Sequence, residues 1–216
     1  MSDLTEFERS RVEHEATEIR VQKGAYVFHC GETYPFWLGV AAGTLKSMKL
    51  SSVGKQVNFV YILEGTWFGE GTLINHEPRR YSLQAVEDTL LLRTPAETFN
   101  WLIDSSIRFN RFIIRQMSAT LSQFIAMVEY ERILDKSARV ACLLASVFQY
   151  NVVAGRREKL NLNLTIPQED LAMMCGVSRQ TFNEILKELQ QQGIVEIAYR
   201  SLRILDLDRL RKFGQR

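Results

Sequence analysis

The stretch Thr165 to Gln192, TIPQEDLAMMCGVSRQTFNEILKELQQQ, limits the folds open to this chain more than any other. Leu171 and Met174, with Ala172 and Cys175 beside them, give one apolar face at helical spacing, and Pro167 presets φ near its start. Gly176 breaks the pattern, and a second apolar face follows at Val177, Phe182, Ile185, Leu186 and Leu189. Two short helices sharing a tight glycine turn read as a helix-turn-helix. A hairpin of helices inside a helical core is the plainer reading of such a pattern taken alone. The sequel favours the first reading: Gly193 ends the second helix, and 194–197 and 202–205 alternate as two short strands around Tyr199–Ser201. The stretch is therefore read as a winged helix-turn-helix. Its second helix carries Ser178, Arg179, Gln180, Thr181, Asn183, Glu184 and Lys187 on the outer face, groups able to meet base edges and phosphates.

Charge follows the same division. Residues 136–216 hold 13 Lys+Arg against 8 Asp+Glu, leaving 14 against 17 for residues 1–135. A basic half suits phosphate backbones, although this excess alone also describes a solvated surface. The chain has no apolar run of 18 residues, and MSDLTEFERS has neither the basic nor the apolar region of a signal peptide. A soluble cytoplasmic protein without membrane contact is expected. Cys30, Cys142 and Cys175 are odd in number, far apart and without CxxC spacing, so no disulfide framework, zinc site or iron–sulfur cluster is expected. No nucleophile elbow, HExxH, Walker loop or carboxylate pair is present, and Gly69-Glu-Gly71 lacks the context of a dinucleotide fingerprint, so an enzyme is not expected.

Upstream, 4–14 reads as a short charged helix. From Ile19 to Leu92, short alternating runs at 26–28, 45–50 and 57–63 are separated by Gly31, Gly43, Gly54 and Gly65 at intervals of 12, 11 and 11. That rhythm predicts an antiparallel β domain, jelly roll or barrel, with glycine where turns need positive φ. Gly65–Ser82 breaks the rhythm with a glycine-flanked turn leading into a short helix. Its free N–H groups favour an anion, and Arg79 or Arg80 could clamp a phosphate; a surface loop with solvated arginines is the alternative. Ile107, Ile114, Met117, Leu121, Phe124 and Val128 then fall on a 3–4 repeat with only Asn110 polar, the stripe of a two-helix seam, while Phe112 and Ile113 are expected to pack on the β domain.

Taken in order, these features resemble the cyclic-AMP receptor protein/FNR family of bacterial transcription regulators: the glycine-punctuated β domain, Phe68-Gly69-Glu70 with Arg80 ten residues after Glu70, the long helix ending Ile133–Arg139, and Val177–Thr181 in a terminal winged domain. The resemblance implies an α+β chain with an effector-binding β-roll (jelly-roll) at 1–104, a dimerisation helix at 105–134 and a winged helix-turn-helix at 135–216. It implies an effector pocket of Phe68, Gly69, Glu70, Gly71, Arg79, Arg80, Tyr81 and Phe124, and a homodimer paired through the helical stripe. It further implies a hinge at Asp135–Ser137, with Asp135 or Ser137 as N-cap of a helix from Ala138 to about Gln149. Base contacts fall to Arg179, Gln180, Asn183 and Glu184, and phosphate contacts to Gln168, Ser178, Thr181 and Lys187. Double-stranded DNA is the implied partner, with RNA polymerase a further one near the charged turn Gly155–Lys159.

The match to a cyclic-AMP pocket is half complete. Glu70 and Arg80 correspond, but Tyr81 stands where the family has a small hydroxyl, and Phe124 and Ile125 stand where hydroxyls read the base. The pattern argues against cyclic AMP and leaves another anion or nucleotide open as a small-molecule effector. No cysteine precedes Cys30, and His14, His29 and His76 read as ordinary histidines, so neither an iron–sulfur cluster nor haem is expected. The alternative is a cyclic-nucleotide- or small-anion-binding module whose helix-turn-helix makes only protein contacts; salt-dependent, sequence-selective DNA binding separates the two.

Overall fold

The computed structural model describes residues 4–50, 56–153, 163–164, 166–198 and 201–214. Two compact units divide the chain, Met1–Thr120 and Leu121–Arg216. Their division falls within a long helix rather than at either of its ends. Gly54, the turn at 155–159, the first residues of the 160–164 strand, Thr165 and the wing tip at 199–200 lie outside the described residues.

The first unit opens with α1 (Glu6–Glu15), started by a capping box in which Thr5 and Glu8 each bond the other's backbone N–H. Eight strands follow: β1 (Thr17–Val21), β2 (Tyr26–Phe28), β3 (Phe36–Ala42), β4 (Thr44–Leu50), β5 (Gln56–Leu63), β6 (Trp67–Phe68), β7 (Ser82–Ala85) and β8 (Thr89–Pro95), with α2 (Glu70–Ile74) between β6 and β7. They form two four-stranded antiparallel sheets, ordered β1-β8-β3-β6 and β2-β7-β4-β5. First pairs with last, second with seventh, third with sixth and fourth with fifth. That wrapping is a jelly roll, so of the two architectures the glycine rhythm left open, the structure adopts this one. Gly31, Gly43 and Gly65 all have φ between 85° and 92°, the turn conformation the rhythm requires.

β3 carries two cores on its two faces. Leu38 and Val40 join Leu45, Leu83 and Leu91 between the sheets. Trp37 points the other way, into a cluster with Val12 of α1, Phe99 and Leu102 of α3 (Ala96–Ser105), and Phe109 and Ile113 of α4 (Ile107–Ile133). Trp37 stacks on Trp67 at 4.2 Å and meets Phe109 edge-on at 5.3 Å. A Cβ on Gly39 would come within 2.8 Å of the Trp67 ring, so this ring needs glycine beneath it. Ile113 and Phe112 pack on this cluster as the sequence predicts, and Phe109 joins them. By contrast Ile107, Ile114, Met117, Leu121, Phe124 and Val128 are 45–71% exposed, with Ile125 exposed beside them. Among the described residues, the apolar stripe of α4 stays largely uncovered.

In the second unit α5 (Lys136–Val153) begins where Asp135 Oδ1 accepts from the Ala138 N–H at 2.8 Å. Asp135 is thus the cap, and the helix starts two residues before the predicted Ala138. Then come β9 (Asn163–Leu164), α6 (Gln168–Met174), α7 (Arg179–Gln191), β10 (Val195–Ala198), β11 (Ser201–Ile204) and α8 (Leu207–Phe213). The strands make one antiparallel sheet, β10-β11-β9. Val140, Leu144, Leu171, Phe182, Leu186, Leu189, Leu202 and Leu210 are all buried and form the interior of this unit. Among the described residues, no helix is long and apolar enough to cross a membrane.

Candidate nucleic-acid interface and ligand cassette

The turn between α6 and α7 is set by its backbone. Gly176 has φ 63°, its N–H bonds Met173 O, and Val177 N–H bonds Ala172 O. Ala172 is buried, which lets the helices approach closely, and Cys175 is buried beside it. Burial pushes the Cys175 thiol up to about 12, so it stays protonated and inert, a packing residue as predicted.

Ser178 caps α7: its Oγ accepts from Thr181 N–H at 3.1 Å and lies 2.9 Å from Thr181 Oγ1. Both hydroxyls are therefore engaged in holding the first turn of α7. Arg179, Gln180, Glu184 and Lys187 are exposed on one solvent face, with Thr181, Asn183 and Gln168 half-buried. Opposite them Phe182, Ile185, Leu186 and Leu189 fill the core, so packing fixes the rotation of α7 and hence the direction of its polar face. Among the described residues, Arg179 and Lys187 make no side-chain hydrogen bond or ion pair. Gln180 Nε2 donates to Glu184 Oε1 at 3.1 Å. This surface offers a free guanidinium, a free ammonium, an amide and a carboxylate, the groups that can address major-groove edges and phosphates.

The second candidate site lies in the jelly roll. Phe68 is a core residue, and Gly69 turns the chain with φ 97° into α2, which contains Glu70 and Gly71. Arg79, only 2% exposed, enters this turn. Its guanidinium donates to Gly69 O at 3.2 Å, Tyr34 O at 2.9 Å and Phe36 O at 2.8 Å, and lies 4.9 Å over the Phe28 ring. A Cβ on Gly69 would meet Arg79 Nη1 at 2.7 Å. Arg80, ten residues after Glu70, points outward instead and pairs with Glu77 at 2.6 Å on the surface. The inward arginine is therefore Arg79, and the position matched by spacing is solvated. His76, the one described non-glycine residue with positive φ, lies between α2 and the two arginines.

Glu70 completes the cassette. Burial raises its pKa, against the pull of its own backbone N–H, the Gln116 amide and Arg79. Burial likewise lowers that of Arg79, opposed by Tyr81, Tyr34 and Glu70. Glu70 Oε2 and Arg79 Nε are both buried without a hydrogen-bond partner. Tyr81 packs against the core between the sheets, its ring 6.0 Å from that of Phe28, and burial raises its phenol pKa. Phe124 lies on the exposed stripe of α4, in the unit that begins at Leu121. Sequence reasoning missed Gln116, whose Nε2 donates to Trp67 O at 2.7 Å. Its signal was present: it falls one turn after Ile113, on the face α4 turns to its own β domain.

Comparison with known proteins follows this layout. The cyclic nucleotide-binding domain model matches residues 18–106, and the Crp-like helix-turn-helix domain model matches residues 138–213. The chain belongs to the Crp/FNR family. Its relatives are distant. The regulatory protein HlyX of Actinobacillus pleuropneumoniae is 21% identical over 206 residues, covering 92% of this chain and 85% of the relative. The anaerobic regulatory protein of Bacillus subtilis is 26% identical over 201 residues, covering 91% and 81%. Among solved structures, FixK2 from Bradyrhizobium japonicum superposes with a TM-score of 0.76 at 19% identity, covering 92% of this chain and 96% of that one. A CooA variant from Carboxydothermus hydrogenoformans gives 0.70 at 23%, covering 94% and 90%. The Crp/FNR family is one of transcription regulators rather than enzymes.

Proposed function

We propose that this Crp/FNR protein is a homodimeric, sequence-specific transcription regulator that reads a twofold-symmetric operator, and that cyclic AMP is not its effector. The DNA-reading half rests on α7, whose solvent face presents Arg179, Gln180, Asn183, Glu184 and Lys187 while its other face is locked into the core. The observation that carries the dimer is the stripe on α4: six apolar side chains at coiled-coil spacing, all exposed in the single chain. An apolar patch of that length in water is a protein interface far more often than a free surface. A dimer reading a twofold-symmetric site needs its two copies of α7 in successive major grooves about 34 Å apart.

The effector reading rests on Arg79. Three backbone carbonyls already hold its guanidinium, Arg80 is paired with Glu77, and Tyr81 fills the place where the family has a small hydroxyl. A cyclic phosphate entering this turn would have to strip those carbonyls of their donor. The β-roll then serves a different small effector, and the protein works in the cytoplasm, where its DNA is.

The test combines selection of binding sites from random duplex DNA with sedimentation of the wild type and of a Leu121→Glu/Phe124→Glu variant. A palindromic consensus bound by a dimer, with the variant monomeric and weak on DNA, is expected. A monomer that binds DNA without sequence preference would overturn the reading. Titration calorimetry with cyclic AMP and cyclic GMP is expected to show no micromolar binding.

A further inference from the structure

We propose that Gln180 and Glu184 read DNA as one coupled unit, in which Glu184 positions the Gln180 amide and the pair together selects bases that present an exocyclic amino group in the major groove, adenine and cytosine, and rejects guanine, whose amino group lies in the minor groove. The inference rests on the DNA-reading role of α7 and specifies what that surface recognises.

The observation is the bond from Gln180 Nε2 to Glu184 Oε1 at 3.1 Å, one helical turn apart on the exposed face of α7. A glutamine amide by itself can turn either its oxygen or its nitrogen towards a neighbour, and a surface glutamine samples both. Next to a carboxylate it cannot do so equally, because the reversed orientation would set oxygen against oxygen. Glu184 therefore fixes which end of the amide faces along the helix. One N–H is engaged, while the amide oxygen and the second N–H remain for a base.

That remaining pair has a definite chemistry. An acceptor beside a donor matches adenine, which offers an N6 amino donor beside the N7 acceptor in the major groove. Guanine offers two acceptors there, N7 and O6, and O6 would face the amide oxygen. The free lone pairs of Glu184 likewise demand a donor, supplied by the amino group of cytosine or adenine. The neighbouring cations do not cancel this selectivity, since Arg179 and Lys187 make no ion pair with Glu184 among the described residues. Arg179 remains free to take guanine at a different position. In water a hydrogen bond between exposed residues one turn apart is weak. At a dehydrated interface the same bond governs more, because an amide turned the wrong way would leave buried acceptors facing one another.

The roles are separable. Gln180 touches the base, and Glu184 acts on that base through Gln180 as well as on its own. Glu184→Gln keeps an oxygen able to accept from Gln180 Nε2 and removes only the charge. Glu184→Ala removes the acceptor. Neither change touches the core, since both side chains are exposed.

The experiment measures base preference by site selection from random duplexes for the wild type, Gln180→Ala, Glu184→Ala and Glu184→Gln, with affinities for single-base variants of the selected site. Wild type is expected to prefer adenine at the position that becomes indifferent in Gln180→Ala, with discrimination against guanine there of about tenfold or more. Glu184→Ala is expected to lose preference at two positions, its own and that of Gln180, whereas Glu184→Gln retains the adenine preference at the Gln180 position. If Glu184→Ala alters one position only and leaves that of Gln180 intact, the coupling is refuted while the DNA-reading role stands. If the wild type selects no sequence at all, the DNA-reading role and the coupling fall together.

Discussion

Arg79 and Arg80 are adjacent in sequence and opposite in energetic role, and replacing each by alanine measures the difference. Arg79→Ala removes three charge-assisted donors from half-buried backbone carbonyls. Two of these carbonyls keep another partner: Gly69 O accepts from Thr72 Oγ1, and Tyr34 O from Phe36 N–H. Phe36 O is turned away from β8, whose Ala96 N–H goes to Pro35 O, so β8 offers it no replacement donor. An orphaned buried acceptor costs about 1–3 kcal/mol, and two weakened ones add roughly another 1–2 kcal/mol. The contact over Phe28 contributes on the order of 1–2 kcal/mol, and Glu70 loses the cation nearest its buried carboxylate. Relief of the guanidinium's own desolvation offsets part of this, leaving a net loss of about 3–5 kcal/mol. Arg80→Ala removes one surface ion pair, with the Arg80 side chain 74% exposed, and should cost less than about 1 kcal/mol. The three tryptophans of the chain, Trp37, Trp67 and Trp101, all lie in the first unit, so their fluorescence during urea unfolding reports on the jelly roll alone. Arg79→Ala should lower the midpoint by roughly 2 M and Arg80→Ala by less than about 0.5 M. Equal shifts, or a larger one for Arg80, would refute the assignment of the inward arginine.

Other consequences follow from the same geometry. Gly69→Ala must adopt a φ of 97° and drive a methyl to within 2.7 Å of Arg79 Nη1, so a loss of about 1–3 kcal/mol is expected in the same fluorescence assay. Glu70 has its pKa raised above 4.5 by burial, so its contribution to stability is fully present below about pH 4.5 and is lost as pH rises through the folded-state value. Glu70→Gln should therefore raise the melting temperature at pH 7, with the gap to wild type closing as pH falls towards 4.5; a constant gap would contradict the burial argument. Arg179→Ala should weaken operator binding by about 1–3 kcal/mol and relax preference at one base pair, read by footprinting on single-base variants.

Much of this layout could be read directly from the chain, and the reasons are local. α7 was visible because Gly176, Ser178 and the spacing of Phe182, Ile185 and Leu189 encode a turn, a cap and a face within a dozen residues. The strands at 26–28, 45–50 and 57–63 appeared because they alternate between glycine turns. β3 did not appear, because its FWLGVAA run has no polar face: Leu38 and Trp37 feed two different cores. Spacing likewise identified the slot ten residues after Glu70, but spacing carries no side-chain direction. The carbonyls of Tyr34 and Phe36, more than 40 residues away, decide that Arg79 turns in. The choice of Asp135 over Ser137 as cap was of the same kind, a matter of which oxygen reaches the Ala138 N–H.

The jelly-roll wrapping bears on how the protein is made. β1 pairs with β8, and Arg93 Nε reaches Thr17 Oγ1 across 76 residues of chain. On a ribosome, which delivers residues from the N-terminus onward, β1 must wait without its partner until β8 has emerged, its apolar residues unshielded meanwhile. Among the described residues of the winged unit the farthest strand partners, Asn163 and Arg203, are closer in sequence, but α5 must wait for α8, where Cys142 Sγ meets Gly214 O across 72 residues. Synthesis therefore leaves each unit with an early element awaiting a late one, β1 awaiting β8 and α5 awaiting α8, and each is open to chaperones and proteases until its last element emerges.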